Sequence, residues 1–210
     1  MEQRTDEWFQ ARLGKLTASR FDDIVKFDGT LRTGERPLNY MNEKIYELLN
    51  NKPFEIESNM AMQWGTDTEQ EARLAYEYET FETVEEVGFV THQGYGYIGC
   101  SSDGLVGEDG GIEIKCPYNS GNHISTLVND KMPNRYKAQV QGNIFINELK
   151  WMDYVSYDPR MEKETMKIKI IRYERDDSYL RNLVHSLREF WHDLHQKLSN
   201  MGITEYETNE

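Results

Sequence analysis

The clearest hydrophobic periodicity lies near the C-terminal end. Leu180, Leu183, Leu187, Leu194 and Leu198, with Phe190 or Trp191 between them, recur three or four positions apart. This spacing predicts an amphipathic helix over about 177–199. Met41, Ile45, Leu48 and Leu49 form a second helical stripe after Pro37, which suits a helix N1 position. Two short helices are predicted over 5–13 and 18–27, with Thr5 and Thr17 as N-caps, and a longer one over 60–79. The runs 83–91 (TVEEVGFVT) and 96–102 (GYIGCSS) read as strands, and a hairpin follows them. Helices near 121–130 and 134–148, the latter after Pro133, precede strands at 150–157 and 166–173. This order predicts one α/β domain, a mixed β-sheet flanked by helices.

At 210 residues the chain can bury the core of one domain, and its 38% hydrophobic and 12% aromatic content argues against disorder. No apolar run reaches membrane-spanning length and the N-terminus has no signal-like core, so a soluble, intracellular chain with no membrane partner is expected. Cys100 and Cys116 are too few for a disulfide framework and are expected to be reduced. Residues 201–210 lack a basic group and are expected to fray as an acidic C-terminal tail. The net charge of −13 excludes a broadly basic protein that coats polyanions. Between Asp67 and Glu86, eight acids accompany the single base Arg73. Basic residues gather at Arg12, Lys15 and Arg20, and at Lys131, Arg135 and Lys137, which leaves room for a basic groove within an acidic exterior.

Candidate chemistry lies in residues 101–117, SSDGLVGEDGGIEIKCP. On a strand, Glu113 and Lys115 share one face while Ile114 buries on the other. The GEDGG turn at 107–111 folds the chain back, so that Asp103 approaches Glu113. Two carboxylates and a backbone carbonyl then converge, a donor set that suits Mg²⁺ or Mn²⁺. Lys115 beside them can orient a water or offset charge on a reacting phosphate. Read by itself, the segment fits a metal-dependent phosphodiester-cleaving site. It also fits a solvated hairpin edge whose ion pairs contribute roughly 0–1 kcal/mol each.

Further motifs stand in a fixed order around it: L-x-A-S at 16–19, W-G-T-D-T-E-Q-E-A-R at 64–73, S-D-G-L at 102–105, E-I-K-C-P at 113–117, A-Q-V-Q at 138–141 and Y-D-P-R-M at 157–161. Together they resemble the phage lambda exonuclease, or YqaJ-type viral recombinase, family of the PD-(D/E)XK nuclease superfamily. The resemblance implies a nuclease-like domain over residues 1–200. It implies that Asp103 and Glu113 bind Mg²⁺ (or Mn²⁺), with the Ile114 carbonyl as a further ligand. Lys115 would activate or position the water, Glu69 would reach a second metal or that water, and Gln139 would face the site. Arg12 of R-L-G, with Ser19 and Ser101, would grip the 5′-phosphate of a DNA end. Met60 or Met62 falls where the family places an apolar wedge that splits the duplex. A family member carries an arginine six residues after the E-x-K lysine. Gly121 stands there in this chain, so end recognition would be weaker or would use His123 beside Asn122.

The implied reaction is 5′→3′ hydrolysis of one strand of linear double-stranded DNA to mononucleotides, leaving a 3′ overhang. A homotrimeric ring, a single-strand annealing partner and a place in the bacterial cytoplasm as a phage- or prophage-encoded protein are implied with it. Two rivals remain open: an endonuclease of the same fold, and a non-cutting protein that holds DNA ends for recombination. Closed circular DNA separates the first. The joint presence of Asp103, Glu113, Lys115 and Glu69 argues against the second.

Other features carry blander expectations. G-Y-G-Y-I-G at 94–99 matches a dinucleotide fingerprint, but strand and turn follow it where a helix is required. His185, His192 and His195 are expected to be solvated or packed histidines. The four tryptophans, Trp8, Trp64, Trp151 and Trp191, are expected in the core, and the two cysteines as small buried residues.

Overall fold

A glycine-rich turn within residues 104–115 folds two paired strands back on each other, and the second of them is buried over most of its length. The structure, a computed structural model, describes residues 3–55 and 58–203. Positions 204–210 of the expected acidic tail lie outside the described residues. Helix α1 (Asp6–Arg12) leads through β1 (Leu16–Thr17) to α2 (Phe21–Ile24), α3 (Glu35–Asn50) and the long α4 (Met60–Thr80). Strands β2 (Val84–Glu85), β3 (Val90–Thr91), β4 (Ile98–Cys100), β5 (Gly104–Val106) and β6 (Gly110–Lys115) follow. Helices α5 (Ser120–Asn129) and α6 (Lys137–Ile146) connect them to β7 (Trp151–Tyr157), β8 (Ile168–Glu174) and α7 (Asp177–Asn200).

The larger sheet has the order β2-β5-β6-β7-β8, antiparallel except for the parallel pair β6–β7. A parallel pair needs a long crossover, and α5 and α6 supply it. A small sheet, β1-β4-β3, lies beside it. Ile112 and Ile114 of β6 pack with Ala72 and Tyr76 of α4 on one face of the larger sheet. Val140 and Ile144 of α6 pack with Met152 and Tyr154 on the opposite face. Glu113 and Lys115 therefore turn toward α6. A third core joins Phe21, Tyr40, Leu183, Phe190 and Leu194, uniting α2, α3 and α7. Buried Asp153 accepts from the Tyr76 hydroxyl at 2.8 Å and from Arg172 at 2.9 and 2.8 Å, which ties α4 to the sheet.

Gly142 lets α6 approach the α2 segment. A Cβ at this position would lie 2.7 Å from two ring carbons of Phe21, which is fully buried and has no room to retreat. Gly142→Ala is therefore expected to cost about 1–3 kcal/mol, despite alanine's better helix propensity. Chemical denaturation checks this, and an unchanged or raised midpoint would contradict it.

Most elements fall where the sequence places them, and four departures have local causes. The helix expected over 18–27 is a 3-10 turn, Ala18–Arg20, followed by α2, and Thr17 makes no capping bond. It stops because Val25 is extended and Arg32 donates to the Asp22 and Val25 carbonyls at 2.9–3.2 Å. Helix α3 starts two residues before Pro37, at Glu35, after Gly34 at φ 102°. Pro37 is thus third in the helix, still within the turn whose N–H groups need no intrahelical partner. The run 83–91 divides at Gly88, with β2 edging the larger sheet and β3 the smaller. The tryptophans are half-buried at the margins, and none belongs to the fully buried core.

Candidate active site

The β5–β6 hairpin registers Gly104 opposite Ile112, with Gly107 in the left-handed region at φ 60°. This register carries Asp103 alongside the end of β6, where its Oδ2 accepts from the Ile114 N–H at 2.6 Å. Buried Glu113 receives three donors. Lys115 Nζ and Gln139 Nε2 (2.6 Å) reach its Oε1, and Asn143 Nδ2 reaches its Oε2 at 2.8 Å. Gln139 and Asn143 lie one turn apart on α6, so one helix face presents both amides to the carboxylate. Glu69 approaches from α4, held by Arg4 at 2.9 Å and by Arg73 at 3.3 Å.

These charges shape one another. Burial, and then the charge of Glu113, hold the Asp103 carboxyl well above the ordinary carboxylate range. Burial also raises Glu113, while the Lys115 ammonium opposes that rise. Burial alone would lower Lys115, but Glu113 and Asp103 outweigh it and hold the ammonium above the usual lysine range. Lys115 is therefore a fixed cation at neutral pH. The Cys116 thiol is pushed up to about 12, chiefly by burial and then by Glu69, which disfavours the thiolate.

Next to this cluster lies a second one. Arg12, half-buried, stacks over Trp8 at 4.0 Å and its Nη1 donates to Ser101 Oγ at 3.4 Å. Trp8 Nε1 donates to the same hydroxyl at 2.8 Å. Among the described residues Arg12 has no carboxylate within ion-pair distance, and burial lowers its pKa. A half-buried guanidinium with no ion-paired carboxylate, and only the more distant charge of Glu47, fits an anion as a further partner. The nine residues expected to bind metal, act in catalysis or hold the 5′-phosphate, Arg12, Ser19, Glu69, Ser101, Asp103, Glu113, Ile114, Lys115 and Gln139, line one open cavity of about 610 Å³. Met62 lines it too, whereas Met60 does not.

Among the described residues no three carboxylates, histidines or cysteines converge closely enough to form a ready-made metal cage. An all-oxygen pair in an open cleft still fits Mg²⁺, which typically takes one or two carboxylates and completes its shell with water and substrate phosphate. Two neighbouring buried carboxyls, whose ionised forms burial disfavours, would be stabilised by a cation there.

The Y-D-P-R-M segment braces the site from behind. Fully buried Asp158 holds Arg160 through Nε at 2.7 Å and Nη2 at 2.9 Å. Arg160 in turn donates to the Pro117 and Tyr118 carbonyls at 2.9 and 3.0 Å and lies 4.4 Å from the Trp64 ring centre. It thereby fastens the loop after Lys115 to the helix that carries Glu69.

His123 does not belong to the cleft. It is fully buried, with Nδ1 on Ser156 Oγ at 2.8 Å and Nε2 on the Met166 carbonyl at 2.7 Å. Arg4, Trp8 and Asn143 are the parts that sequence reasoning missed. Asn143 had a signal, its helical spacing from Gln139. Arg4 had none, because its partner lies 65 positions away.

Residues 7–150 match the family model for the YqaJ-like viral recombinase domain. No match is found among the curated proteins. Among solved structures, the alkaline exonuclease LHK-Exo from Laribacter hongkongensis is similar, with 38% identity and a TM-score of 0.86 over 94% of this chain and 96% of that one. The same enzyme in complex with dAMP matches with 40% identity and a TM-score of 0.87 over the same shares. A phage related exonuclease from Haemophilus somnus 129PT shares the fold at 15% identity, with a TM-score of 0.72 over 89% of this chain and 96% of that one. The family match spans Arg12, Glu69, Asp103, Glu113, Lys115 and Gln139, and the chain belongs to the YqaJ-like viral recombinase family.

Proposed function

We propose that this protein is a DNA exonuclease that hydrolyses one strand of linear duplex DNA from its 5′ end. One observation carries the reading: the acid–lysine cluster shares a single cleft with Arg12, which has no ion-paired carboxylate among the described residues. Asp103 and Glu113, with the Ile114 carbonyl, would hold Mg²⁺ or Mn²⁺, and Glu69 would serve a second ion or the attacking water. Such an ion supplies Lewis-acid polarisation of the phosphate and a more acidic bound water.

The chain's own residues do the rest. Arg12, Ser19 and Ser101 seat the terminal 5′-phosphate, so the next phosphodiester lies by Lys115. The charged Lys115 orients the water and offsets negative charge on the non-bridging oxygens as the water oxygen attacks phosphorus. Gln139 and Asn143 fix the Glu113 carboxylate. The bond to the 3′ oxygen breaks, releasing a nucleoside 5′-monophosphate and leaving a new 5′-phosphate on the strand. Each turnover thus regenerates the group that Arg12 recognises. Capture of dAMP by the similar LHK-Exo accords with a mononucleotide product.

Met62, at the cleft, would act as the apolar wedge. A homotrimeric ring, action beside a single-strand annealing protein and a bacterial cytoplasm complete the proposal. Incubation of linear duplex with Mg²⁺, with and without chelator, tests it. Mononucleotides that appear only with metal, from linear but not closed circular DNA, are expected. Nicked circles would instead mean an endonuclease.

A further inference from the structure

The groove between α6 and the first half of α7 lies outside the cleft and shares no lining residue with it among those described. It encloses about 630 Å³. Its floor is a cluster of three half-buried rings. His92 stacks on Phe145 at 4.5 Å and 20°, and Tyr95 lies 5.1 Å from His92 and 6.1 Å from Phe145. The Gly94 N–H donates to His92 Nδ1 at 2.9 Å, which fixes that ring's plane. Three exposed arginines flank the rings. Arg188 sits 6.0 Å from the Tyr95 centroid and Arg175 sits 5.9 Å from that of Phe145, with Arg181 on the same face of α7. The one carboxylate in the lining, Asp177, is paired with Arg175 at 2.7 Å. Among the described residues no carboxylate pairs with Arg181 or Arg188.

In a chain of net charge −13, a groove with three arginines, two of them without a paired carboxylate among the described residues, favours an anionic occupant. Arginines alone would suit any polyanion, an acidic polypeptide included. Rings set between them add faces on which bases stack, and unpaired bases are what a single strand offers. We infer that this groove binds single-stranded DNA, the continuous strand left when its partner is digested. The source of that strand rests on the exonuclease reading, whereas the groove's chemistry does not.

The test is fluorescence anisotropy of labelled oligo-dT with the full chain in chelator, so that nothing is cut. Arg181→Ala combined with Arg188→Ala should weaken binding at least about tenfold at low salt. It should also lower the slope of log affinity against log salt by about 1.4, or about 0.7 per arginine. Tyr95→Leu should weaken binding about fivefold or more through lost stacking. Digestion of a short linear duplex with Mg²⁺ should be unchanged in the double variant. Affinity and salt slope equal to the unaltered chain's would overturn the inference while leaving the exonuclease intact. Binding of a glutamate-rich peptide in place of oligo-dT would overturn it in favour of an acidic partner. A changed oligomeric mass in the double variant would reassign the groove to contact between copies. Retained groove-dependent binding in a protein that digests no DNA would sink the exonuclease reading alone.

Discussion

Lys115→Ala, or Asp103→Asn, should lower cleavage of linear duplex DNA about a thousandfold with folding intact. Lys115 is the ammonium in contact with Glu113, and its charge opposes the burial that raises that carboxyl. Without it, the Glu113 pKa rises further, so a larger share of the carboxyl is protonated at any given pH. The residual rate should consequently begin to fall at a higher pH than the unaltered enzyme's as the medium is acidified. Asn at position 103 keeps an oxygen for the Ile114 N–H while losing the charge, so hairpin geometry survives. Initial rates paired with thermal melts check both variants. Activity within about tenfold of normal, in a folded variant, would remove that residue from the mechanism.

Arg12→Ala should act differently. A charge-assisted hydrogen bond contributes about 1.5–3 kcal/mol, so digestion from 5′-phosphorylated ends should fall roughly 10- to 150-fold. Ends bearing a 5′-hydroxyl should hardly change, because the lost partner is the phosphate. The preference between the two ends should therefore collapse toward unity. Stacking over Trp8 and the bond to Ser101 hold the guanidinium in place. Equal losses on both ends would point instead to a purely structural arginine. A preference that survives intact would remove Arg12 as the phosphate anchor.

The site was legible where the physics is local. Alternation in β6 sets Glu113 and Lys115 against Ile114, and Gly107 turns Asp103 back to them, all within thirteen residues of sequence. Gln139 and Arg12 came from family motifs, not from spacing. Partners recruited through tertiary packing left no such trace. Arg4 reaches Glu69 across 65 positions, and Trp8 gives its indole N–H to Ser101 across 93. Trp8 also shows why tryptophans were misplaced in the core: a ring with a polar edge settles where one side stays accessible. His123 misled for the opposite reason, since both its nitrogens found buried partners. The shortening of the 18–27 helix followed from Arg32 bonding to its carbonyls, an interaction that helix propensity does not encode.

The central claim is that one cleft removes nucleotides from 5′ ends. The most direct measurement is digestion, in Mg²⁺, of a linear duplex labelled differently at its 5′ and 3′ termini. Release of the 5′ label first, as a mononucleotide, with the complementary 3′-ended strand still intact, is the predicted result. First release of the 3′ label, or labelled fragments many nucleotides long, would contradict it.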